Sequence, residues 1–278
     1  MPLFYHFWPG KASAVFRGGL QRVIQGFSGN YLSAKKSYAF MHPFLRPYIA
    51  KISEILKSFG FSRKGTYFYR LAGNVYQDMA LKCYLDGIRY EVTYGLFPIR
   101  SIAMEPPPAY GTTLQPYSST FPLALLTAAE LPSYVDMSDT AYQDCAASLG
   151  ELVKLYLIPV FERNVTTESA YDEWTRFELR QKNSVDFIPY LRDSIQMFGL
   201  ISIPRINMAL ELGYYDTALI GLEQQIEIDR RGYGDNVASY RELLERITAR
   251  DLDYIQQRLS KNAEKTLHTL SVLGLSVE

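Results

Sequence analysis

Asp78 and Glu91 are the two carboxylates whose placement best suits acid–base or metal chemistry. Both fall in runs rich in β-branched and aromatic residues, on the charged side of neighbouring predicted strands, with Arg70 and Lys82 close by. Acids on adjacent strands beside a lysine can hold a divalent cation and orient a water for phosphoester hydrolysis. Their spacing matches no nuclease motif, and alternating charges on a strand face more commonly form cross-strand pairs. Other constellations fail sooner. None of the three histidines, His6, His42 and His268, lies within helix-turn distance of another His or of Cys83 or Cys145, so no zinc spacing arises. Gly10-Lys11-Ala12-Ser13 lacks the upstream glycine and strand of a phosphate loop, and Gly26-Phe27-Ser28-Gly29 lacks the final spacing of a nucleophile elbow. Glu168, Asp172 and Glu173 open a predicted helix, where acids complement the dipole. No cofactor motif is present and none is expected.

The elements that position these residues can be read from periodicity. Leu45, Tyr48, Ile49, Ile52, Ile55, Leu56 and Phe59 form one apolar stripe and predict a helix over 44–59, with Pro47 in its first turn and Gly60 at its end. Three strands follow, at 66–71, 75–84 and 88–96, separated by the turn pairs Gly73-Asn74 and Asp86-Gly87. Alternation places Tyr67, Tyr69 and Leu71 with Met79, Leu81, Val92, Tyr94 and Leu96 on an apolar face covered by the helix. Arg70, Asp78, Lys82, Glu91 and Thr93 then share a wet face. Six prolines mark 98–122 as a long loop, read as a rigid connector with a polyproline II stretch at 106–108.

From Ser138 the chain turns helical. Ala141, Cys145, Leu149, Leu152, Val153, Tyr156 and Val160 line one face, with Pro159 expected to kink or break it. A second helix spans 168–181, with Tyr171, Trp174 and Phe177 as its apolar side. Residues 184–274 read as wholly helical. Leu212-Gly213 ends one helix, Asp216 caps the next, and Val237 through Leu259 belong to one long amphipathic helix. The segment ALELGYYDTAL, 209–219, has the cadence of a helix-pair repeat, of which only one copy is legible.

Between the first helix and the first strand the residues Phe59-Gly60-Phe61, Arg63-Lys64-Gly65 and Phe68-Tyr69-Arg70 read GF-x-RKG-x-x-FYR. This resembles the bacterial family known as domain of unknown function 4304, over roughly residues 44–163. The resemblance implies a small α+β domain and carries no catalytic residue. Proteins of this general look also occur among immunity proteins that neutralise the toxins of neighbouring bacteria, an analogy of appearance, since fold does not fix function. Independently of the family, Arg63 and Lys64 stand in an exposed turn flanked by two glycines, where they can grip an acidic partner or a phosphate or simply be solvated.

The totals frame these readings. Of 278 residues, 47% are apolar and 21% charged, as in an ordinary folded chain, and there are 22 tyrosines. Basic and acidic residues number 29 each, yet the first 53 residues hold seven basic residues and no acid, leaving 22 basic and 29 acidic beyond. That arm includes a short basic amphipathic helix, Val15 to Phe27, which can meet an anionic surface or fold back on the acidic body. Its composition also resembles a transit peptide, though arginine is sparse. The basic residues are too spread for a nucleic-acid patch. No run of eighteen apolar residues occurs, so no membrane span is expected, and two cysteines suit a reducing, cytoplasmic compartment. The expected architecture is α+β: an antiparallel β-meander packed on an amphipathic helix, then a mostly helical C-terminal part. Its divisions are a basic arm at 1–42, an α+β domain at 43–165 and a helical part at 166–278. The expected function is that of a non-catalytic bacterial protein-binding protein, in concrete form a toxin-neutralising one. Arg63, Lys64, Tyr69, Arg70, Asp78 and Glu91 are the candidate binding residues. The alternative is a metal-dependent hydrolase acting on nucleic acid or phosphoesters through the sheet carboxylates.

Overall fold

The computed structural model describes residues 46–83, 90–104, 121–122, 139–184, 203–230 and 237–275. The basic amphipathic helix, the polyproline stretch and the Asp86-Gly87 turn lie outside them. The described residues all belong to one compact unit, His42–Glu278.

The fold is α+β. Helix α1, Arg46–Lys57, buries Tyr48, Ile49, Ile52, Ile55 and Leu56. It ends at Gly60, whose φ of +79° lets Phe61 N–H return to the Leu56 carbonyl and Gly60 N–H to that of Lys57, a left-handed cap suited to a residue without a Cβ. The sheet has five antiparallel strands in sequence order: β1 Ser62–Lys64, β2 Tyr67–Ala72, β3 Val75–Cys83, β4 Tyr90–Pro98 and β5 Phe121–Pro122. β1 and β5 escape sequence reading because three and two residues cannot display a period of two.

The register corrects the expected faces. Phe68 pairs with Met79 and Met79 with Tyr94, while Tyr69 pairs with Asp78 and Asp78 with Gly95. Phe68 and Arg70, not Tyr67 and Tyr69, therefore share the face of Met79 and Tyr94. The cause is the two-residue turn: with Ala72 opposite Val75, odd positions of β2 meet even positions of β3. The face expected to be wet is also corrected. Tyr69, Asp78 and Thr93 are buried at 6%, 1% and 2% exposure, beside the buried Tyr76 and Phe97, because aromatic rings occupy its centre.

Helices α2 (Asp139–Leu152) and α3 (Ile158–Arg163) run on through a π-helical turn, Val153–Leu157. Pro159 explains the turn. Its ring opposes the carbonyl four residues back, and the ladder widens so that Ile158 N–H reaches Val153 O. α2 lies against α1 so closely that a Cβ on Gly150 would stand 3.0 Å from Ile55 Cδ1. α3 sets Phe161 between Phe61, at 4.9 Å, and Tyr94, at 6.4 Å. Helix α4, Thr167–Ser184, seats Trp174 edge-on against Phe97, its indole N–H donating to the Leu96 carbonyl at 3.0 Å.

The remaining helices are α5 (Ile203–Glu211), α6 (Tyr215–Ile228), α7 (Val237–Thr248) and α8 (Leu252–Val272). The single long helix expected across 237–259 is corrected to two. Arg250 takes a φ of +53°, and Asp251 caps α8 by accepting Tyr254 N–H at 3.1 Å. The expected cap at Asp216 is corrected as well: it sits within the first turn of α6, and Tyr214 takes the cap position with no side-chain bond.

A second copy of the helix pair becomes visible here. Gly213 ends α5 and Arg250 ends α7 with the same left-handed backbone. The following amides also match: Gly213 to Leu210 and Tyr214 to Ala209, then Arg250 to Ile247 and Asp251 to Arg246. The same register of 37 positions, from 213 to 250, aligns the buried Ile206, Leu210, Ala218 and Leu222 with the buried Leu243, Ile247, Ile255 and Leu259. Arg250 stacks over Tyr215 of the first hairpin at 5.8 Å, which gives a reason for arginine where the first copy has glycine.

Candidate functional site

The structure does not gather the six residues expected to form a site. Arg63 and Lys64 are exposed on the short edge strand β1, and Arg63 reaches Ser53 at 3.5 Å. Arg70 is a clamp. Its guanidinium donates to Gln77 Oε1 at 2.7 Å, the Phe59 carbonyl at 2.6 Å and Glu162 Oε1 at 2.7 Å, and stacks over Phe61. Gln77 in turn donates to the carbonyls of Phe161 and Asn164, satisfying the end of α3. Lysine has no planar fork to replace this set. Arg70→Lys should therefore lower the unfolding free energy by about 2 kcal/mol in urea titrations, with an unchanged m value.

Tyr69 and Asp78 are cross-strand partners on the other face, both buried. Burial raises the phenol pKa of Tyr69. Burial first, and then the nearby Asp78 carboxylate, raise that of Tyr76 well above its usual value. Glu91 pairs in register with Lys82, four positions along β4 from Gly95, the partner of Asp78. At about 3.4 Å per residue the two positions are roughly 14 Å apart along the sheet, so the register forms two separate pairings and no shared carboxylate pair. Among the described residues no group of three or more His, Cys, Asp or Glu side chains could hold a metal.

A second polar cluster joins the sheet to the helices, and residue spacing shows no sign of it because its members come from five separate elements. Asn74 Nδ2 donates to Thr167 Oγ1 at 2.9 Å. Thr167 also bonds the Glu211 carboxyl, Arg100 lies 3.8 Å from Glu211, and Arg100 Nη2 donates to Gln256 Oε1 at 2.7 Å. Asn207, one turn before Glu211 on α5, donates to the Ser101 carbonyl at 2.9 Å. Burial raises the Glu211 pKa, and Arg100 and the Thr167 bond oppose it without cancelling it. The folded carboxyl thus keeps its proton to higher pH than the unfolded one. As pH rises above the ordinary value of 4.5, the unfolded chain ionises first and stability falls until the folded group has also ionised. Glu211→Gln should remove that part of the slope, so denaturation midpoints of the two proteins should converge toward acid pH and separate, in favour of the variant, above the window.

A groove of ≈ 320 Å³ lies between α6 and α7, the boundary between the two hairpin copies. Ile226 and Leu244 form its floor, with Glu223, Arg230, Arg241 and Glu245 around it. One signal in the sequence pointed here: Leu243 and Leu244 are consecutive. Only one of them can face the core, and Leu243 is fully buried while Leu244 is half-buried in the groove. Among the described residues no helix is long and apolar enough to cross a membrane. In comparisons with known proteins, no family model, no curated protein and no solved structure matches the chain.

Proposed function

We propose that this chain is a non-catalytic protein-binding protein of the bacterial cytoplasm, in concrete form one that neutralises a toxin by occupying it. The observation that carries the proposal is the α6–α7 groove. Its apolar floor and rim of both charge signs have the composition of a protein-contact surface, an apolar centre inside a polar margin. The polar groups elsewhere add to it. Arg70 is committed to three internal acceptors, and the buried Glu173 pairs with Arg163 at 2.8 Å. These charges serve folding, whereas the four charged groups of the groove surround an apolar floor. The test is co-expression with the product of each adjacent gene, followed by size-exclusion chromatography at native salt. The expected result is a stable complex with one of them and restored growth where that product is toxic. Failure of every neighbouring product to bind or to be neutralised would leave the proposal without support.

A further inference from the structure

The groove between α6 and α7 is polarised end to end. α6 runs toward the connection and α7 returns from it, so Arg230 and Arg241 lie in the half near the connection and Glu223 and Glu245 in the far half. Ile226 and Leu244 lie between. Each half thus takes one charge sign from both helices, although Arg241 and Glu245, four positions apart on α7, are of opposite sign. Among the described residues, Glu223, Arg241 and Glu245 take part in no ion pair, and Arg230 has only its helix neighbour Glu227, at 3.9 Å. Exchanging one acid for one base would have let the two helices pair with each other.

We infer that this groove docks an amphipathic helix of the partner protein, oriented by charge: an apolar side chain on Ile226 and Leu244, a basic residue toward Glu223 and Glu245, and an acidic residue toward Arg230 and Arg241. The spacing fits a helix. Glu223 and Arg230 are seven positions apart, about 10.5 Å at 1.5 Å per residue, which is the distance between residues i and i+7 of a bound helix. The required face therefore reads basic, then apolar one turn on, then acidic at the second turn. The volume of ≈ 320 Å³ is at the small end for ligand cavities and suits one or two large side chains better than a whole cofactor. The boundary between two copies of a helix pair is also where repeated helical hairpins present their concave surface.

This inference rests on the protein-binding reading, and the test separates the two. The probes are two helix-stapled fifteen-residue peptides of identical length, one with Lys–Leu–Glu at positions i, i+3 and i+7, the other with Lys–Leu–Lys, because a helix can lie in either direction and only a like-charged pair fails in both. Binding to the full chain is followed by fluorescence anisotropy and by the methyl signals of Ile226 and Leu244. We expect the Lys–Leu–Glu peptide to bind at least tenfold more tightly than the doubly basic one. Leu244→Arg, at a half-buried position that leaves the core residue Leu243 in place, should abolish binding with an unchanged circular dichroism spectrum. The double exchange Arg230→Glu, Arg241→Glu, which makes the whole rim acidic, should reverse the preference in favour of the doubly basic peptide. Equal affinity for both peptides, or no binding by either, overturns the inference. A genuine partner whose complex is untouched by Leu244→Arg also overturns it while leaving the protein-binding reading standing, whereas absence of any partner removes that reading first.

Discussion

Gly73→Ala should destabilise the protein by about 3–5 kcal/mol, enough to leave little folded protein if the total lies in the usual range. Gly73 holds a φ of +57° in the two-residue turn between β2 and β3, which alone costs an alanine about 1 kcal/mol. The larger part is steric. A Cβ at this position would stand 2.2 Å from the Val165 carbonyl oxygen, and that oxygen accepts the Asn74 amide at 3.2 Å. Val165 cannot step aside. The preceding Asn164 is fixed by its bond to the Val160 carbonyl, and Gln77 holds the Asn164 carbonyl. Gly65 supplies the control, because it has a similar φ of +64° with nothing within 4 Å of a built Cβ. Gly65→Ala should cost only the backbone strain, about 1 kcal/mol. The difference between the two urea midpoints measures how closely the hairpin tip is pressed onto the connection between α3 and α4, and equal losses would remove that picture.

How much of this was legible in advance follows from the range of each interaction. α1 could be read because its stripe and its glycine cap are local, and the observed Arg46–Lys57 differs from the expectation only at the ends. The meander could be read because Gly73-Asn74 and the aromatic runs are local too. The faces could not, since strand parity depends on which residues flank the turn, and Ala72 opposite Val75 inverts β2 against β3. Asp78 was expected in water because it is charged. Its burial depends on Tyr69, Gly95 and Phe97 around it, and a Cβ at Gly95 would meet Asp78 Oδ1 at 2.7 Å and the Phe97 ring at 2.3 Å, so the missing side chain at 95 is what makes the space. The break at Arg250 was hidden because its left-handed position carries no glycine. For the same reason the second hairpin escaped notice: the copies share backbone geometry and buried positions and few residue identities. Neither the cluster around Glu211 nor the α6–α7 groove is local, and both appear only when distant elements are assembled.

Thr266→Val should cost about 2–5 kcal/mol, although it replaces one side chain by another of the same shape. Thr266 is fully buried on α8. Its hydroxyl donates to the Ile102 carbonyl at 2.6 Å and accepts the Met104 amide at 3.1 Å. On either side, Asn262 donates to the Arg100 carbonyl at 3.1 Å and Thr269 to the Met104 carbonyl at 2.9 Å. Positions 262, 266 and 269 lie along one face of the helix and advance about one turn for every two residues of the strap Arg100–Met104, the rise of an extended chain. Helix side chains therefore stand in for a neighbouring strand as the chain leaves β4. Valine would leave a carbonyl and an amide buried without partners, at about 1–3 kcal/mol each. Thr266→Ser keeps both bonds and gives up one methyl group, about 0.8 kcal/mol. Because this strap and Asn207 tie the end of β4 to the hairpins, hydrogen exchange should show more than a uniform loss. Amides of β3 and α8 should open together in the parent protein, and those of α8 should open at lower free energy in the valine variant alone. A valine variant within about 0.5 kcal/mol of the parent, the range of an ordinary surface change, would mean that the strap is held by packing and its hydrogen bonds are incidental.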